Sequence, residues 1–165
     1  HKNIIEFINA MTILKETTNI QFEITITLSK RSLQAYNFWN KELNSITHFL
    51  GYLPKDKIDT LFTNNSILIS NSIIETIGLH VIEAIKNGII VIVPNEKYSA
   101  SVYGKNILTY QLFNTSSLVN TIKTLMKLDP NHIKNIIQKN QQYLINNQKN
   151  KYDNISNIIE NVLSK

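Results

Sequence analysis

Ile67-Leu68-Ile69-Ser70-Asn71-Ser72-Ile73-Ile74-Glu75-Thr76-Ile77-Gly78-Leu79-His80-Val81-Ile82-Glu83-Ala84-Ile85-Lys86-Asn87-Gly88 is the stretch on which the reading of this chain turns. An apolar strand, Ile67-Leu68-Ile69, runs into a loop, and the residues after Gly78 are amphipathic through Leu79, Ile82, Ile85 and Lys86 until Gly88 stops the helix. Glu75 therefore sits on the loop and Glu83 about one turn inside the helix. Helical side chains tilt toward the N-terminus, so Glu83 points back at the spot that Glu75 overhangs. The N–H groups of Gly78 and Leu79 aim there too, and a helix N-terminus attracts phosphate. Two carboxylates beside an anion site suit a ligand that is anionic at one end and rich in hydroxyls elsewhere, as a nucleoside diphosphate sugar is.

Outward from this stretch, helix and strand patterns alternate. Ile4, Ile8, Met11 and Leu14 share one face of a helix over about 4–17. Phe22, Ile24, Ile26 and Leu28 alternate with Glu23, Thr25 and Thr27, which predicts a strand. A helix is expected over 32–44, a short strand over 46–50, a helix from Pro54 to about residue 63, and strands over 66–69 and 89–93, the last closed by Pro94. Residues 95–105 read as irregular. A strand near 107–110 and helices near 115–128, 131–148 and 151–164 complete the pattern, with Ile133, Ile137 and Leu144 keeping helical spacing through the Asn- and Gln-rich run. The fold class is α/β, a doubly wound parallel sheet with helices on both faces. Ligands bind such sheets beyond the C-terminal strand ends, here Leu28-Ser29-Lys30, Leu50-Gly51-Tyr52, Ile69-Ser70-Asn71 and Val93-Pro94-Asn95.

A chain of 165 residues is one domain's worth and buries about 70% of its unfolded surface. Hydrophobic content of 42%, without an apolar run near the roughly 20 residues needed to cross a bilayer, predicts a soluble domain. There is no cysteine, and no secretory pattern at the start, which is compatible with the cytoplasm. The net charge is +5 and the pI about 9.3. That positive charge is scattered lysine, and Arg31 is the only arginine, which argues against nucleic acid. A mildly positive surface facing anionic headgroups is more compatible with it, as is plain solvation.

The central stretch resembles the signature of retaining GT-B glycosyltransferases of the glycosyl transferases group 1 family: a small residue, Ser, apolar residues, Glu, then Gly-Leu, Glu-Ala and a later Gly. Further segments resemble that family in order. They are Lys2-Asn3 followed by an amphipathic helix that contains Ala10, Phe49-Leu50-Gly51-Tyr52-Leu53 with the helix after it, and Gly88-Ile89-Ile90-Val91-Ile92, where Ile90 replaces the usual Pro. The resemblance covers roughly residues 2 to 128. It implies the C-terminal, donor-binding half of such an enzyme, residues 1–165, with its first strand and its N-terminal acceptor domain upstream, and therefore no turnover by this half alone. It also implies transfer of a sugar from a nucleoside diphosphate sugar to a glycan or lipid-linked acceptor. It further implies no cofactor and no bound metal, and usage heavy in Ile, Asn and Lys, which suggests an AT-rich gene, makes bacterial surface polysaccharide synthesis in the cytoplasm or at the inner face of the membrane the expected setting.

On the same resemblance, Glu75 holds the donor sugar's hydroxyls as the catalytic carboxylate, Glu83 takes the ribose diol, Gly78 and Leu79 meet the diphosphate, and Gly51 and Tyr52 form the base-contacting turn. Tyr52 is equally readable as a packing residue. Lys2 reads as a solvated terminal residue or as the cation that clamps the diphosphate, and its place before the first helix favours the second. Lys30 and Arg31 end a strand within reach of a phosphate. His48, His80 and His132 have neither metal nor triad spacing, and Tyr98 and Tyr103, on the segment after Pro94, are candidates to border the acceptor cleft, which nothing in the sequence decides. A sugar-nucleotide epimerase and a non-catalytic nucleotide-binding module stand as alternatives.

Overall fold

The computed structural model describes residues 2–34, 40–63 and 65–163. Helix α1 (Ile4–Thr17) leads to strand β1 (Ile24–Ile26), helix α2 (Lys30–Gln34), a 3₁₀ segment (Lys41–Ile46) and strand β2 (Thr47–Phe49). Then come helix α3 (Lys55–Ile58), a second 3₁₀ turn (Asp59–Leu61), strand β3 (Ile67–Ile69), helix α4 (Leu79–Lys86) and strand β4 (Ile90–Pro94). Helix α5 (Lys97–Tyr103), strand β5 (Leu108–Tyr110), helix α6 (Thr115–Leu125) and helix α7 (Pro130–Leu163) finish the chain.

All strand pairing is parallel, in two ladders rather than one. β1 pairs with β2, setting Ile24 opposite Thr47, while β4 lies between β3 and β5, with Ile92 opposite both Ile69 and Leu108. β4, flanked on both edges, is buried throughout. Its alternation divides the core. Ile90 and Ile92 face a cluster made with Ile24 and Ile26 of the other ladder, Ile8, Met11 and Leu14 of α1, and Leu118 and Ile122 of α6. Val91 and Val93 face the opposite way, onto Val81 and Ile85 of α4, Tyr103 of α5 and Leu144 of α7. Helices thus cover both faces, as the alternation of elements predicts.

Several boundaries depart from the sequence expectation. The strand expected through Phe22 and Leu28 is limited to Ile24–Ile26, because its partner β2 offers only three residues to pair with. The single helix expected over 32–44 is instead α2 followed by the 3₁₀ segment, with 35–39 outside the described residues. Asn40 caps that segment by accepting a hydrogen bond from the Glu42 N–H, a role in which Asn competes with continuous helix. Residues 97–103, expected to be irregular, are helical, and Ser99 donates from its hydroxyl to the Pro94 carbonyl to fix the entry. Gly104, at φ +98°, ends that helix and is the signal that marks it. The two helices expected over 131–148 and 151–164 are one unbroken helix to Leu163, since no Gly or Pro interrupts the run.

Candidate functional site

The loop between β3 and α4 is pinned from below and from the side. Ser70 donates its backbone N–H to Ile92 of β4, and the Asn71 carbonyl accepts from Asn3 just before α1. Lys2 forms an isolated antiparallel bridge with Ser72, which is fully buried. The segment before α1 is thereby laid beside the loop, and Lys2 Nζ donates to Ser72 Oγ at 2.6 Å and to Glu75 Oε2 at 3.3 Å. Glu75 Oε1 accepts from the Thr76 N–H at 3.1 Å. Burial pulls the Glu75 pKa upward, but the Lys2 hydrogen bond and charge, with the Thr76 and Gly78 amides, outweigh it and hold the carboxyl below the usual glutamate value.

Gly78 begins α4 in the left-handed region at φ +63°, and its carbonyl accepts from the Val81 and Ile82 N–H groups to start the helix. No other residue fits there. A Cβ at this position would lie 2.0 Å from the Tyr103 hydroxyl and 3.2 Å from Glu75 Cγ. Tyr103 is buried beneath the loop, edge-to-face with Tyr98 at 6.4 Å, and Tyr98 donates its hydroxyl to the Ser72 carbonyl at 3.5 Å. Both tyrosines have raised pKa values, burial being the main cause, so both stay protonated. The sequence left open whether they border a cleft or pack; they pack, as the floor of the loop.

Glu83 projects from the second turn of α4, where its side chain is one-quarter exposed, and Oε1 lies 3.1 Å from Lys55 Nζ at the start of α3. The sequence reading aimed Glu83 and Glu75 at one point. In the structure each carboxylate holds a different lysine, Lys2 on the α1 side and Lys55 on the α3 side. His80 lies among these groups, sharing a hydrogen bond with Ser70 through Nε2 at 3.2 Å. Burial foremost and then the Lys2 charge lower its pKa, while Glu75 and Glu83 pull the other way. Leu79 at the helix start is two-thirds exposed.

The loop after β2 forms the other wall. Gly51 takes φ +66° with open space where a Cβ would go, and Tyr52 is 92% exposed, which rules out the packing role. Lys30 lays its ammonium over the Phe49 ring at 5.9 Å, and Arg31 is exposed. His48 is paired with Glu23 and His132 with Asp129, each at the surface. Among the described residues no group of three or more His, Cys, Asp or Glu side chains is placed to hold a metal ion, and no helix is long and apolar enough to cross a membrane.

The sequence matches the model of the family described as Glycosyl transferases group 1 over residues 1–157. No curated protein matches it. Among solved structures it is similar to the C-terminal domain of a glycosyl transferase group 1 family protein from Francisella tularensis, with 18% identity and a TM-score of 0.67 over 88% of this chain and 78% of that one. A glycosyltransferase from Rickettsia africae aligns with 18% identity and a TM-score of 0.64 over 93% of this chain and 44% of that one. Sucrose-phosphate synthase from Thermosynechococcus elongatus aligns with 16% identity and a TM-score of 0.58 over 95% and 43%. The chain thus spans less than half the length of the last two. At these identities the likeness establishes the fold, that of the Rossmann-like C-terminal half of GT-B proteins.

Proposed function

The chain belongs to the glycosyl transferases group 1 family, and from that premise we propose that it is the donor-binding half of a retaining hexosyltransferase. Its donor is a nucleoside diphosphate sugar, and its acceptor is a glycan or a lipid-linked sugar presented by a second domain. The observation that carries this reading is the joining of Lys2, Ser72 and Glu75 in front of the N-terminus of α4. As the acceptor's hydroxyl oxygen bonds to the sugar's anomeric carbon and its proton passes to the leaving diphosphate, the bond between that carbon and the diphosphate oxygen breaks and its electron pair stays on that oxygen. The developing charge is met by the Lys2 ammonium and by the N–H groups of the first turn of α4. Glu75, held ionised, accepts hydrogen bonds from the sugar's hydroxyls beside the carbon where positive charge grows. Glu83 accepts the ribose diol. Gly51 and the exposed Tyr52 supply a backbone turn and a ring face for the base. No step in this scheme uses a metal or cofactor.

The net charge of +5 supports work in the cytoplasm against the anionic inner face of the membrane. Residue usage heavy in Ile, Asn and Lys supports a place in bacterial surface polysaccharide synthesis. The test is a titration of backbone amide signals with UDP, GDP and ADP. Shifts are expected at 51–52 and 75–83, and shifts confined to α7 would overturn the reading.

A further inference from the structure

We propose that Lys55 is a further residue of the donor site, a positioning residue that acts through Glu83 by neutralising it, so that a carboxylate at the ribose does not repel the adjacent diphosphate. The proposal rests on the donor-site reading above and deepens it. Lys55 opens α3, directly after the turn of Gly51, Tyr52, Leu53 and Pro54, whereas Glu83 lies one βα unit further on, so their 3.1 Å pair joins the starts of two successive helices. Glu83 is three-quarters buried and Lys55 mostly exposed. An unpaired carboxylate there would be partly stripped of water and set beside the incoming phosphate anions, repelling them. Glu75 faces the same problem and meets it in the same way, with Lys2. Each candidate carboxylate is thus matched by one lysine. The Lys55 ammonium lies against Oε1, and a carboxylate that holds a lysine through one oxygen can still accept from a diol through the other.

Amide-shift titrations of the wild type, Lys55→Ala, Lys55→Arg, Glu83→Ala and the Lys55→Ala/Glu83→Ala double variant test this, with UDP, GDP, ADP and the corresponding nucleosides as probes. Lys55→Ala should weaken the best-bound diphosphate roughly fivefold and its nucleoside less than about twofold, the range open to a partly exposed pair. Lys55→Arg should bind as the wild type does. In the Glu83→Ala background, removing Lys55 should change nothing further. Equal weakening of diphosphate and nucleoside, or an undiminished Lys55 effect without Glu83, would overturn the proposal. If Glu83→Ala weakens diphosphate binding and Lys55→Ala does not, the donor site stands and Lys55 has no part in it. If the wild type binds no diphosphate, both readings fall.

Discussion

Replacing Gly78 by alanine probes the junction on which the candidate site is built. Two penalties combine there. A left-handed backbone at φ +63° costs an L-residue about 1–2 kcal/mol. The added Cβ would also sit 2.0 Å from the hydroxyl of Tyr103, itself fully buried, so the ring must be displaced, and overpacking of this kind costs about 1–3 kcal/mol. The sum is ~2–5 kcal/mol, a large share of the roughly 5–15 kcal/mol that holds a domain together. Tyr103→Phe in the same chain separates the two parts. Without the hydroxyl the nearest atoms to the new Cβ are Cζ of the ring and Glu75 Cγ, both at 3.2 Å, so most of the steric part should vanish while the backbone part stays. Urea unfolding of the four proteins of this cycle should show the double variant recovering about 1–3 kcal/mol relative to Gly78→Ala. A Gly78→Ala protein within about 0.5 kcal/mol of the wild type, or a double variant with no recovery, would refute the reasoning.

Glu83→Ala should chiefly raise the donor KM in the full-length enzyme, since a charge-assisted contact made in both ground and transition states is worth about 1.5–3 kcal/mol, whereas Glu75→Ala should fall mainly on kcat. The opposite split in steady-state kinetics would reverse the assigned roles. The lowered Glu75 pKa has a stability consequence, because a carboxyl titrating lower in the folded than in the unfolded chain stabilises the fold above the unfolded value and loses that contribution as pH falls through the folded one. Thermal stability should therefore decline below the usual glutamate value of 4.5, and Lys2→Met should shrink that decline; an unchanged acid limb in the variant would contradict the Lys2–Glu75 pairing.

The sequence alone determined most of the β-α alternation, the strand closed by Pro94 and the loop-to-helix break at Gly78. These are local, carried by the periods of strand and helix and by the one residue that tolerates a positive φ. It also placed Lys2 just before the first helix, Glu75 on the loop after a parallel strand and Glu83 one turn inside the helix that follows, because these places follow from element boundaries. Only the tertiary structure decided that Lys55 faces Glu83, that Tyr98 and Tyr103 underlie the loop rather than line its mouth, and that the strands form two ladders. Their common cause is packing between elements far apart in the chain, which leaves no periodic trace in the residues that meet. The helical state of 97–103 and the single long α7 belong to neither extreme. Gly104 marked the end of one, the lack of Gly or Pro favoured continuity in the other, and packing of both against the Val91 and Val93 face of the sheet fixed the outcome.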